Sequence, residues 1–381
     1  MLETVLHVVG ARPNLVKVAP LMREMSKMPE RFRQVLVHTG QHYDDTMSRI
    51  FFQDLAIPDP DVNLDVGSGS QASQTANIML RLEQALLEYR PDLVVVYGDA
   101  NSTLAAALTA AKLELPVAHV EAGLRSFDRA MPEETNRVVT DHISDLLFTP
   151  SKDADANLER EGIDSRKVHF VGNVMIDTLQ RMLSKSEDRR TLERLGLTKE
   201  GVSGEAAPVA YVVATLHRPS NVDDSAALTR VLEGLAAVAE HAPVVFPVHP
   251  RTRKALSEIQ ADASRINMID PLGYPDFLCL IHHASVVVTD SGGVQEETTY
   301  LQVPCLTVRK NTERPVTITQ GTNRLVDDDQ LADQVLSRLD AESDEVIAGP
   351  PELWDGRTAE RIARMLADRR AGTTASLDRS D

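Results

Sequence analysis

A chain of 381 residues is longer than one hydrophobic core usually serves, so two domains are expected. Its 42% hydrophobic and 25% charged residues describe a globular protein with full-sized cores, and a net charge of -17 argues against general binding to nucleic acid or anionic membrane. Cys279 and Cys305 are too few and too far apart for a disulfide framework or a zinc site, and both read as small core residues in a reducing compartment.

The opening MLETVLHVVGARPN has no basic start and reaches Gly10 after a strand-length apolar run, unlike a signal peptide. No stretch holds the roughly 18 apolar residues that span a bilayer, so the expected compartment is the cytoplasm. Residues 4–9 read as a strand, and Pro13 opens a helical pattern through Leu15, Val18, Met22 and Met25. Arg12 at this turn and Lys17 about one helical turn on form an anion site at a helix N-terminus, or else a solvated surface pair. Strand 35–39 leads to a polar loop containing Gln41 and His42, then to a helix with Phe51 and Phe52. A turn-rich connection, 59–70, precedes a helix with Ile78, Leu82, Ala85, Leu86 and Tyr89 on one face. Residues 93–97 are all apolar, as in a central parallel strand. Asp99 stands just past that strand, where ligands bind in open α/β sheets, although Asp99 or Asn101 also reads as a helix cap.

The stretch HVEAGLRSFDRAMPEETNR, 119–137, brings acids, arginines and a Gly turn onto one strand-to-helix connection. Strand 116–120 delivers Glu121 at its carboxyl end, and Pro132 opens a helix with Glu133 and Glu134 in its first turn. At least one of those two acids is expected only to complement the helix dipole. Strands 146–149 and 168–171 continue the alternation, which describes a doubly wound parallel sheet.

A polar stretch, 184–208, separates this half from a second alternating one. Strands 209–215 and 244–248 deliver His217 and His249 at equivalent places, each with a nearby arginine. A lone histidine is more often structural, but two in one topological position point to ligand contact. The strand 286–289 runs into Asp290, Ser291, Gly292 and Gly293, where missing side chains let a phosphate approach free backbone N–H groups. Glu296 and Glu297 follow, placed to accept from two ribose hydroxyls or simply to suit the helix dipole. Strand 304–308 then leads to a positive run through Arg309, Lys310 and Arg314. Helices near 329–339 and 358–371 close the fold ahead of a polar tail, 372–381.

The reading is α/β: two doubly wound Rossmann-like domains facing a central cleft, the GT-B architecture. GARPNLVK, TGQH, GDANST, HVEAGLRS, MPEETNR, VGNVMIDTL, DSGGVQEE and TERP, in this order from Gly10 to about Val326, resemble the non-hydrolysing UDP-N-acetylglucosamine 2-epimerases. The resemblance implies that Asp99, Glu121, Glu133 and His217 are catalytic. It places Arg12, Lys17, His249, Ser291, Gly292, Gly293 and Arg314 near the UDP phosphates or in the cleft, and Glu297 on the ribose. It further implies a homodimer and a regulatory UDP-sugar contact through Gln41 and His42. Residues 1–180 would form the catalytic-carboxylate domain, 181–357 the UDP-binding domain, and 358–371 a helix packing back on the first. The expected partner is a UDP-sugar, with no cofactor and no metal ligands.

The chemistry explains such a set. The hydrogen at C2 is not beside a carbonyl, so it becomes acidic only as the C1–O bond breaks and C1 gains oxocarbenium character. Elimination then gives UDP and 2-acetamidoglucal, and re-addition with protonation from the other face inverts C2. This needs cations for the departing diphosphate, carboxylates around the positive charge, and an acid and a base on opposite faces. Ala11, Asn14, Ala100 and Ser220 depart from the commonest family pattern, which opens the choice of sugar to C3- or C6-modified substrates. A hydrolysing relative, a GT-B glycosyltransferase and a silent nucleotide-sugar sensor share the architecture.

Overall fold

The computed structural model describes residues 2–40, 52–187, 190–201, 206–259, 263–340 and 349–377; Gln41 and His42 lie outside them. The chain divides into two compact units, residues 1–178 with 352–381, and residues 179–351. The division falls inside the helix Val174–Glu187, just upstream of the polar stretch 184–208.

The first unit is built on seven parallel strands: β1 (Glu3–Val9), β2 (Phe32–His38), β3 (Val62–Asn63), β4 (Leu93–Tyr97), β5 (Val117–Val120), β6 (Leu146–Thr149) and β7 (Val168–Phe170), ordered β3-β2-β1-β4-β5-β6-β7. All five residues of β4 are buried, as its uninterrupted apolar run requires of a strand covered on both faces. One face is covered by the helices Gln71–Tyr89 and Asn101–Lys112; fully buried Ala105, Ala106, Ala107 and Ala110 pack there against Leu6, Val8, Val94 and Val96. The two-residue strand β3 lies inside the stretch expected as a connection. It is too short to show an alternating pattern, and it is held by register with Val37 and His38.

Residues 352–357, expected in the second domain, belong to the first unit. Trp354 is 2% exposed and its Nε1 donates to the carbonyl of Pro150 at 3.0 Å. The following helix, Thr358–Leu377, is seated by Asp177, whose carboxylate accepts from the N–H groups of Thr358 (3.2 Å) and Ala359 (2.8 Å). That helix continues past 371 instead of ending in a tail at 372, because Ala371 and Ala375 favour helix and a single Gly372 costs only about 1 kcal/mol.

The second unit holds a short antiparallel pair, β8 (Thr198–Glu200) and β9 (Ala206–Pro208), and a six-stranded parallel sheet. Its strands are β10 (Val212–Thr215), β11 (Val244–Pro247), β12 (Asn267–Ile269), β13 (Val286–Thr289), β14 (Cys305–Val308) and β15 (Asn323–Val326), in the order β12-β11-β10-β13-β14-β15. Val212, Ala214, Phe246, Val286 and Val288 form its core with Leu228, Val231 and Leu235 of the helix Ser225–Val238.

Both sheets therefore reverse their strand order once, between β1 and β4 and between β10 and β13. Loops leaving the carboxyl ends of those strands diverge there and leave a crevice lined by main-chain and polar groups. Among the described residues, no helix is long and apolar enough to cross a membrane.

Candidate active site

At the first reversal, β1 ends in Gly10 and the helix Arg12–Ser26 begins. Asn14 ties this turn to β4: its Oδ1 accepts from the N–H of Gly10 (3.1 Å) and Ala11 (2.9 Å), and its Nδ2 donates to the Tyr97 carbonyl at 2.8 Å. A glutamate could not make that last donation. Arg12 is half-buried at the helix start, whereas Lys17 is buried, which removes the solvated-pair reading for it. Lys17 Nζ lies 2.5 Å from Glu121 Oε2. Gly98, at φ +63°, makes room for this pair, since a Cβ there would stand 2.7 Å from the ammonium. Glu121 itself adopts φ +73°, a left-handed conformation that costs a non-glycine residue roughly 1–2 kcal/mol. Its N–H and that of Ala122 both donate to the Phe148 carbonyl at 3.0 Å, holding the turn in place.

Asp99 is no cap: the helix Asn101–Lys112 starts from Ala100 without a side-chain bond. Its carboxylate instead takes Arg137 Nε at 3.0 Å and a terminal guanidinium nitrogen at 2.8 Å, and its carbonyl accepts from Asn136 Nδ2 at 2.9 Å. Arg137 also reaches Glu134. Glu134 is buried, accepting from Ser126 N–H (2.9 Å), Ser126 Oγ (2.9 Å) and Phe127 N–H (2.8 Å), so it is the acid that braces the loop. Glu133, one residue and about 100° round the helix Pro132–Ile143, is half-buried on a different face. Beneath the loop, His119 bridges the Gly98 carbonyl (2.8 Å) and Asp141 (2.6 Å), and Asp141 also accepts from Arg125 at 2.7 Å. Burial pushes the Asp141 carboxyl up, but His119 and Arg125 outweigh it and hold it below the usual range.

At the second reversal, the loop after β10 carries His217 and the loop after β13 carries Asp290. Asp290 is fully buried and its Oδ1 lies 3.0 Å from His217 Nδ1, while the His217 ring remains 42% exposed. The His249 ring sits 5.9 Å from that of His217, centroid to centroid. Ser291 precedes the helix Gly292–Leu301 without capping it through its side chain. A Cβ at Gly292 would meet Glu313 Oε1 at 2.7 Å, so the glycine admits the buried cluster of Arg314, Glu313 and Glu296, in which Arg314 Nε is 3.0 Å from Glu296. Glu297 is buried and accepts from the Tyr274 hydroxyl at 2.9 Å; burial, with Glu296 alongside, pushes its carboxyl up to about 7.

The family profile described as UDP-N-acetylglucosamine 2-epimerase matches residues 23–367. The chain belongs to this family. A UDP-N-acetylglucosamine 2-epimerase of Methanocaldococcus jannaschii is 41% identical over 94% of this chain and 97% of its own. A UDP-2,3-diacetamido-2,3-dideoxy-D-glucuronate 2-epimerase of Pseudomonas aeruginosa is 38% identical over 95% of this chain and 99% of its own. The crystal structure of the M. jannaschii UDP-GlcNAc 2-epimerase in complex with UDP-GlcNAc and UDP superposes with a TM-score of 0.84 at 40% identity, covering 95% of this chain and 99% of that one. These matches carry the fold as well: two Rossmann-like α/β units, as in GT-B epimerases.

Within this family member, the first unit brings Lys17 to Glu121, and Arg137 to Asp99. The second unit groups His217 with His249, and Gly292 with Arg314. Sequence reasoning singled out the stretches that hold His119, Arg137 and Asp290 without giving those residues a role, and it missed Asp141 and Tyr274. Arg137 carried one signal, its i,i+3 spacing from Glu134; the side chains of the others bond to residues distant in sequence.

Proposed function

We propose that this chain interconverts UDP-N-acetylglucosamine and UDP-N-acetylmannosamine by inversion at C2. The observation that carries the reading is the placement of Asp99 and Glu121 just past β4 and β5, each against a buried cation, in a chain of the epimerase family. The second unit holds the nucleotide. The helix start at Ser291, Gly292 and Gly293, with Arg314 and His249, receives the diphosphate, and Glu297 receives the ribose hydroxyls. Arg12 and Lys17 are assigned to the phosphates by the family resemblance.

The C1–O electron pair leaves with UDP, the C2 proton passes to an enzyme carboxylate, and a C1–C2 double bond forms in 2-acetamidoglucal. UDP then adds back at C1 while an acid protonates C2 from the opposite face. Asp99, Glu121 and Glu133 jointly provide the acid, the base and the compensating charge, and His217 faces the leaving diphosphate. Proton transfer from positioned groups of this kind contributes about 10²–10⁴-fold.

The test is proton NMR of the protein with UDP-N-acetylglucosamine in deuterated water. UDP-N-acetylmannosamine bearing deuterium at C2 supports the reading, and free UDP with free sugar overturns it. The P. aeruginosa relative favours a second substrate reading, a UDP-sugar altered at C3 and C6, so the diacetamido-glucuronate sugar belongs in the same experiment. A homodimer is proposed with this function, and light scattering giving the mass of a single chain would reject it.

A further inference from the structure

We propose that Asp290 is a positioning residue for the reaction, fixing His217 with its proton on Nδ1 so that Nε2 is the atom offered to the diphosphate. Five contacts carry the inference. Asp290 Oδ1 accepts from the His217 N–H at 3.1 Å and faces His217 Nδ1 at 3.0 Å. Its Oδ2 accepts from the N–H groups of His217 (3.0 Å) and Arg218 (2.9 Å) and from Asn221 Nδ2 (3.1 Å). An ionised carboxylate can only accept, so the ring nitrogen facing it is the one that carries hydrogen. Burial pushes the Asp290 carboxyl up, but His217 and the backbone donors outweigh it and hold it below the usual range.

The consequence is a switch of role with charge. With Nδ1–H fixed, a neutral His217 presents a lone pair at Nε2, which repels a phosphate oxygen. A protonated His217 presents N–H⁺, which stabilises the oxygen as the C1–O bond breaks. Asp290, 3.0 Å from Nδ1, and His249, whose ring centroid is 5.9 Å away, are the titratable groups beside the ring.

This inference rests on the proposed epimerase reading for its activity arm, and a spectroscopic arm stands apart from it. In protein carrying ¹⁵N-histidine, His217 of the wild type should lose its proton from Nε2 as pH rises and keep it on Nδ1. In Asp290→Asn the amide nitrogen faces Nδ1, so the neutral ring should carry its proton on Nε2. A wild-type ring already protonated on Nε2 when neutral overturns the proposal, whether or not the protein turns over and whether or not the variant folds. In the NMR epimerisation assay, Asp290→Asn should lower kcat about 100-fold with KM changed less than about 3-fold. On a His217→Asn background the same substitution should cost less than about 3-fold. An equal loss on both backgrounds would reduce Asp290 to a structural brace. A wild type that does not epimerise but shows the Nδ1–H ring removes the function reading and leaves the Asp290–His217 assignment standing.

Discussion

Lys17 Nζ stands 2.5 Å from Glu121 Oε2, with the two side chains only 4% and 3% exposed. Gly98 and the left-handed turn at Glu121 leave space for this ion pair and aim it. Removing one partner of a buried pair leaves an uncompensated charge and costs about 3–5 kcal/mol. Lys17→Met should therefore lower stability by about that amount in urea unfolding. Lys17→Met with Glu121→Gln should regain most of the stability and none of the activity. An unchanged unfolding midpoint in the single variant would show that the pair does not hold this turn.

Glu133 and Glu134 should separate cleanly. Glu134→Ala strips acceptors from Ser126 and Phe127 and leaves Arg137 with one carboxylate fewer, an expected loss of about 3 kcal/mol. Glu133→Gln should stay within about 0.5 kcal/mol of wild type while kcat falls about 10²–10⁴-fold. Paired unfolding curves and turnover assays decide the matter, and a destabilised Glu133→Gln would contradict the assignment.

Glu297 gives a pH dependence with a definite sign. Its carboxyl is raised by burial from 4.5 to about 7, so between those values the folded state binds the proton that the unfolded state has released. Its contribution to stability is therefore present below about 4.5, declines as pH rises to about 7, and is flat above. Glu297→Gln should flatten that decline. If the carboxylate accepts from the ribose, wild-type affinity for UDP should rise as pH increases through 7, and calorimetry at several pH values should show no such rise in the variant.

Gly172→Ala should release the last segment of the first unit. Gly172 sits at φ +89°, and a Cβ there would stand 2.9 Å from the Leu353 carbonyl carbon. Left-handed strain and the collision together predict a loss of at least about 2 kcal/mol. Trp354, the one tryptophan in the chain, is buried beside that contact, so its emission reports the event directly. A red shift is expected, and an unshifted spectrum would show that the segment tolerates the methyl group.

Much of this protein was legible before folding. Short apolar runs closed by Gly or Pro, such as the one ending at Gly98, marked the strands, and Asp99, Glu121 and His217 stood at their carboxyl ends because strand-to-helix turns are local in sequence. Tertiary structure decided which atoms meet. Arg137 reaches Asp99 across 38 positions and Asp290 reaches His217 across 73, through strand neighbours that chain order does not encode. The helical turn of about 100° per residue sends Glu134 into the loop and Glu133 elsewhere, although both read alike as acids at a positive helix end. Residues 352–357 joined the first unit because Trp354 is buried there and donates to the Pro150 carbonyl, a docking with no periodic pattern. Local periodicity is written along the chain by residue type; long-range polar pairing is settled only when the sheet order brings distant turns to the same crevice.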